Sequence, residues 1–227
     1  MAKFSRLTVA QAMLDAGIVP VYYLGDVEKA QQVLKACYAA GIRVFEFTNR
    51  GDFAHEVFRE LMQFARKELP ELKLGIGSVV DAGTCSLYLQ MGADFVVSPI
   101  LNPDMAKVCN RRKVLWSPGC GSLSEISYAE ELGAEIVKIF PATQVGGPGF
   151  IKAISGPMPW TRIMPTGGVA PTEENLKAWF EAGAACVGMG SKLFPKDKIA
   201  AEDWQGLEAH IAEAVALTKR VRSGLSR

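Results

Sequence analysis

Short apolar runs alternate with amphipathic stretches from one end of the chain to the other, the pattern of parallel strands joined by crossover helices. Eight such runs fall near 18–23 (IVPVYY), 43–48 (RVFEFT), 72–76 (LKLGI), 94–98 (DFVVS), 114–117 (VLWS), 135–140 (EIVKIF), 161–165 (TRIMP) and 185–188 (ACVG). Between the first two, Val27, Ala30, Leu34, Cys37 and Tyr38 recur at helical spacing, and Gly41 is placed to end that helix in left-handed backbone. The same punctuation returns as Met91-Gly92-Ala93, Leu132-Gly133-Ala134 and Ala182-Gly183-Ala184, each just before a strand. The spacing makes a quasi-repeat of about 40 to 50 residues. Helices over 5–16 and 203–221 are expected to cap the bottom of the fold and cover its side. An open doubly wound sheet would use the same local units but favours a Gly-rich fingerprint after its first strand, and here that turn reads Leu24-Gly25-Asp26. The pattern therefore predicts an α/β chain folded as a closed (β/α)₈ TIM barrel with an extra N-terminal helix, a single domain over 1–227.

Composition narrows the partners. With 227 residues, 49% of them hydrophobic, the chain can bury the core that such a fold needs. The formal net charge of +1, with both signs spread along the chain, leaves no basic field to hold nucleic acid. No apolar run approaches the ~18 residues of a membrane span, and the first fifteen or so residues form a mixed amphipathic stretch unlike a secretory signal. A soluble, cytoplasmic protein is expected. Cys37, Cys85, Cys109, Cys120 and Cys186 form no C-x-x-C pair and read as reduced packing residues. The two histidines, His55 and His210, fall on expected surface helices, so no metal site is expected.

Chemistry in a barrel of this kind is carried by polar side chains at the C-terminal ends of the strands. On the second strand Glu46, Thr48 and Arg50 are spaced to project to one side, while Phe45 and Phe47 project to the other, toward the helices. An acid, a hydroxyl and a guanidinium would then face the mouth, the alternative being a structural Glu46–Arg50 pair bridging barrel layers. Lys138 lies in Ile136-Val137-Lys138-Ile139-Phe140, an otherwise apolar strand. It is either a lysine that snorkels or pairs with a carboxylate, or an amine whose pKa is lowered by a dry pocket and a neighbouring cation such as Arg50, making it a nucleophile for a ketone. Two glycine-rich turns, Pro165-Thr166-Gly167-Gly168 and Gly188-Met189-Gly190-Ser191, follow the last two strands, where backbone N–H groups of this fold bind phosphate. Neither matches a nucleotide-binding fingerprint. Pro118-Gly119-Cys120-Gly121-Ser122 follows strand five and is read as support behind the substrate, with Ser122 also suited to capping the next helix. Cys120 has no histidine nearby to activate it.

These motifs resemble the 2-keto-3-deoxy-6-phosphogluconate and 4-hydroxy-2-oxoglutarate aldolases over nearly the whole chain. The resemblance is carried by Val19-Pro20-Val21, Phe45-Glu46-Phe47-Thr48-Asn49-Arg50, Gly75-Ile76-Gly77-Ser78-Val79, Ser98-Pro99, Pro118-Gly119, Lys138-Ile139-Phe140-Pro141-Ala142, Pro165-Thr166-Gly167-Gly168 and Gly190-Ser191. It implies a class I aldolase that cleaves a phosphorylated keto acid to pyruvate and glyceraldehyde 3-phosphate. It implies that Lys138 forms a Schiff base without other cofactor, Glu46 shuttles protons, and Arg50 with Ser78 and Thr48 holds the pyruvate carboxylate. Phosphate would be bound by Thr166, Gly167, Gly168, Gly190 and Ser191, with Pro118 and Phe140 behind the substrate, in a homotrimer. The sequence departs from the family pattern at Ser78, where many members carry Thr, and at Asn49, where an aliphatic residue is usual. Asn49 and the Pro-Gly-Cys turn resemble the branch acting on the galactonate epimer, and Arg50 the gluconate branch. Tyr22 and Tyr23 are unusual at the first strand end. A phosphosugar isomerase or synthase, or a silent phosphosugar-binding barrel, are the competing readings.

Overall fold

The computed structural model describes residues 2–225, so Met1, Ser226 and Arg227 of the expected domain lie outside the described residues. Strands and helices alternate: α1 (Arg6–Ala16), β1 (Ile18–Tyr22), α2 (Val27–Ala39), β2 (Val44–Thr48), α3 (Ala54–Glu68), β3 (Lys73–Gly77), α4 (Ala82–Gln90), β4 (Phe95–Val97), α5 (Pro103–Arg112), β5 (Leu115–Ser117), β6 (Gly119–Cys120), α6 (Leu123–Glu131), β7 (Val137–Ile139), α7 (Gly147–Ser155), β8 (Ile163–Pro165), α8 (Glu173–Glu181), β9 (Val187–Met189), α9 (Lys196–Ala200) and α10 (Trp204–Ser223). Asp26, Asp81, Asn102, Ser122 and Thr172 each accept a first-turn backbone N–H of the helix they precede, a contribution of ~1 kcal/mol apiece. At the other ends, Gly41, Gly92, Gly133 and Gly183 take φ between 88° and 107°, which a side chain would resist.

All strand pairs are parallel. Six strands run in the order β5-β4-β3-β2-β1-β9 and three in the order β6-β7-β8. The fifth strand is thus two segments, because Pro118 between them has no N–H to give to a ladder. At the far edge, β8 and the β9 region meet only through the isolated bridges Ile163↔Ala184 and Thr166↔Gly188. The architecture is a curled parallel sheet with helices outside it; the unbroken eight-strand ladder expected from the sequence is interrupted at these two places.

The period-two pattern sorts the side chains. Phe45 and Phe47 of β2 join the cluster that includes Phe58 and Leu61 of α3, under the helices. The inner face is a separate cluster of Val19, Val44, Phe95, Val97, Leu115, Ile136, Met164 and Cys186, sealed by Val9, Ala10 and Met13 of α1. As expected, α1 closes one end, and α10 covers the side against α2 and α8. Two residues further along the strands the same inner face turns polar: Val44 is followed by Glu46, Leu115 by Ser117, Ile136 by Lys138 and Met164 by Thr166, all buried. No helix among the described residues is long and apolar enough to cross a membrane.

Candidate active site

The polar layer begins with Glu46, which is 1% exposed and has neither carboxylate oxygen hydrogen-bonded. It fits because β3 carries glycine beside it: a Cβ at Gly77 would collide with Glu46 Oε1. Across the interior, Lys138 on β7 is 4% exposed and places Nζ 3.9 Å from Glu46 Oε1. The same Nζ lies 4.9 Å from the centre of the Phe140 ring. At that separation the two form an ion pair without a tight hydrogen bond, so Lys138 does not snorkel to the surface, and pairing with a carboxylate stands beside the nucleophile reading. Burial pushes the Lys138 amine below the ordinary lysine range; Glu46 opposes that shift and Arg50 adds to it. Burial pushes the Glu46 carboxyl up, and Lys138 and Arg50 pull it back. Both groups are moved toward their neutral forms.

The backbone of Lys138 is held by Pro118, whose carbonyl accepts the Lys138 N–H at 2.9 Å. Next to it, Gly119 pairs with Lys138 and packs so closely on the Pro99 carbonyl that a Cβ would not fit. Pro118 therefore supports the strand that carries the amine. Thr48 is buried, and its hydroxyl has no partner. Arg50 is exposed and donates from Nε to Ser78 Oγ at 3.4 Å. Ser78 adopts φ 60°, a left-handed backbone that costs a non-glycine residue ~1 kcal/mol or more.

Arg50, Phe140, Thr166, Gly167, Gly168, Gly190 and Ser191 line one cavity of about 610 Å³. The Thr166↔Gly188 bridge brings the two glycine-rich turns side by side. Thr143 donates to the Gly167 carbonyl at 3.1 Å, and Asn175 donates to that of Gly168 at 3.0 Å while accepting the Ala170 N–H at 2.8 Å. With the turn braced from behind, the N–H groups of Gly168, Val169, Ser191 and Lys192 make no hydrogen bond among the described residues. The Thr166 hydroxyl is also buried and unpartnered. Adjacent free donors of this kind suit an anion.

Several lining residues escaped the sequence reading. Lys192, Lys196 and Phe194 belong to the cavity wall, whereas Tyr22 and Tyr23, which the sequence already marks at the first strand end, line it as well. Extending the second glycine turn by one residue would have found Lys192, whereas Thr143, Asn175 and Gly77 act through contacts between elements that sequence distance conceals. Ser122 is the cap of α6 and accepts the Glu125 N–H at 3.3 Å. Burial pushes the Cys120 thiol up to about 12, far from a usable thiolate. No group of three or more His, Cys, Asp or Glu residues able to hold a metal ion occurs among the described residues.

Comparison with known proteins agrees with this geometry. The sequence profile of the KDPG and KHG aldolases matches residues 9–210. A 2-dehydro-3-deoxy-phosphogluconate aldolase of Pseudoalteromonas atlantica is 33% identical over 95% of this chain and 98% of its own. The KHG/KDPG aldolase of Escherichia coli is 32% identical over 92% of this chain and 95% of its own. A crystal structure of KDPG aldolase from Legionella pneumophila, with pyruvate captured as a covalent carbinolamine, superposes with TM-score 0.81 at 28% identity, covering 91% of this chain and 97% of that one. The 2-keto-3-deoxy-6-phosphogluconate aldolase of Zymomonas mobilis, solved with 3-phosphoglycerate, gives TM-score 0.80 at 28% identity over 94% of this chain and 97% of that one.

Proposed function

The chain belongs to the family of KDPG and KHG aldolases, and we propose that it cleaves 2-keto-3-deoxy-6-phosphogluconate to pyruvate and glyceraldehyde 3-phosphate with Lys138 as its nucleophile. The observation that carries the role of Lys138 is a buried amine with a lowered pKa, 3.9 Å from a carboxyl group whose oxygens have no other partner. The neutral amine adds to the C2 ketone, and the carbinolamine loses water to give a protonated imine. Glu46 as carboxylate takes the C4 hydroxyl proton, and the C3–C4 bonding electrons move into the imine, releasing the aldehyde and leaving an enamine. Glu46 returns the proton to C3. Water then hydrolyses the imine, freeing pyruvate and the amine.

Arg50, with Ser78 and Thr48, takes the substrate carboxylate, and Thr166, Gly167, Gly168, Gly190 and Ser191 take the phosphate. The raised pKa of Glu46 suits a group that must both accept and return a proton near neutral pH. The protonated imine supplies the electron sink, so the mechanism uses no metal or other cofactor. Incubation with pyruvate and borohydride, followed by peptide mapping, tests the central step. The expected adduct is on Lys138, absent in Lys138→Ala and still formed in Glu46→Gln, whose turnover is slowed. An adduct elsewhere, or none, overturns the assignment.

We further propose that residues 1–227 form one domain in which the two sheet segments close as an eight-stranded barrel. The single residue between β5 and β6, and the bridges between β8 and the β9 region, support that closure. A homotrimer in the cytoplasm completes the reading. Exposed Val80, Ile100 and Leu123, on successive segments around the sheet, offer an apolar face to partner copies, and five free, buried thiols suit a reducing compartment. A one-chain mass by light scattering would refute the trimer, and fractionation outside the cytoplasm the location.

A further inference from the structure

We propose that Lys192 and Lys196 form a cationic pair at the cavity rim that selects the phosphorylated substrate over the same acid without its phosphate. The inference rests on the aldolase reading of this cavity and extends it to residues outside the glycine turns. The wall of the cavity includes three cations, Arg50, Lys192 and Lys196, and no carboxylate. They sit at two poles: Arg50 follows β2, while the lysines follow Ser191 on the segment between β9 and the start of α9.

The contrast with neighbouring lysines is specific. Lys198 pairs with Asp203 at 3.2 Å and Lys29 with Glu202 at 2.9 Å, yet among the described residues Lys192 and Lys196 have no carboxylate within 4.0 Å. The backbone that bears them is fixed, because Leu193 and Phe194 between them are 0% and 1% exposed, and Phe194 stacks on Tyr22 with ring centres 4.3 Å apart. A rigid backbone therefore sets the two lysines, neither with a carboxylate partner among the described residues, on the same cavity wall as the unsatisfied N–H groups of Ser191 and Lys192. A phosphate monoester carries nearly two negative charges above its second pKa of about 6, which two cations match and one hydroxyl does not. Exposure leaves each contact screened and modest, so the pair acts on selectivity rather than on the chemical step.

The test measures kcat/KM for 2-keto-3-deoxy-6-phosphogluconate and for 2-keto-3-deoxygluconate in the wild type, Lys192→Gln, Lys196→Gln and the double variant. The ratio of the two should fall roughly threefold in each single variant and roughly tenfold in the double, with smaller losses at high salt. Inorganic phosphate, as a competitive inhibitor of the phosphorylated substrate, should weaken in the same order. An unchanged ratio, equal losses for both acids, or an unchanged phosphate inhibition constant overturns the proposal. Glutamine keeps the length and polarity of these exposed side chains, so folding is not at stake. A wild type that traps no pyruvate refutes the aldolase reading itself, whereas a wild type that traps and cleaves while the variants keep its selectivity refutes only the lysine pair.

Discussion

A carboxyl group with no hydrogen-bond partner and an amine in a dry interior would each be costly alone, and their separation of 3.9 Å relieves only part of that cost. The shared burial drives both toward neutrality, and Arg50 assists on the lysine while opposing on the glutamate. The sign gives a prediction. Imine formation needs the free amine, so borohydride trapping at saturating pyruvate should accelerate as pH rises through the Lys138 pKa, below the ordinary lysine range. Arg50→Gln removes a charge that lowers that pKa, so this limb should move to higher pH; a limb that stays or moves lower would contradict the coupling. Glu46, Thr48 and Arg50 were legible because strand parity alone puts them on one side. Gly77 was not, since its contribution is the absence of a side chain beside Glu46, visible only once β2 and β3 are in register. Lys192 and Lys196 read, in sequence, like any lysines on a solvated turn.

The element carrying Arg50 is held from behind by a row of rings. Tyr23, Phe47, Phe58 and Tyr88 follow one another with centres 5.5, 6.1 and 5.1 Å apart, and the Tyr88 hydroxyl donates to Asn49 Oδ1 at 2.8 Å. Asn49 precedes Arg50, and its own N–H is given to the Gly77 carbonyl at 2.9 Å. Tyr88→Phe leaves the amide oxygen bare and Asn49→Leu leaves a buried hydroxyl bare, each costing about 1–3 kcal/mol. The double replacement removes both polar partners, so its loss in urea unfolding should fall short of the summed single losses by ~1 kcal/mol. The Michaelis constant for the phosphorylated substrate should rise in both single variants and partly recover in the double. Strict additivity would show that the contact does not brace the Arg50 turn. Sequence pattern revealed the strands and helices themselves through apolar runs and glycine stops. It missed the pairing of Gly119–Cys120 with β7, because a glycine-rich turn after Pro118 does not reveal which backbone groups find a ladder partner, and the brief β8 contact, which depends on how the sheet curls.

At the scale of the whole molecule, the decisive asymmetry lies between the two ends of the interior. Val9, Ala10 and Met13 of α1 are at most 8% exposed and pack against Val44, Leu115 and Ile136, closing that end of the interior below Lys138. The interior is a blind alley, and traffic in a blind alley is last in, first out. On the proposed reading, the fragment bonded to the amine would lie deepest and the phosphorylated fragment nearer the rim. The aldehyde would then have to clear the passage before hydrolytic water could arrive and pyruvate depart. Steady-state product inhibition should therefore be competitive for pyruvate and noncompetitive for glyceraldehyde 3-phosphate, and the reverse pattern would mean a second way out.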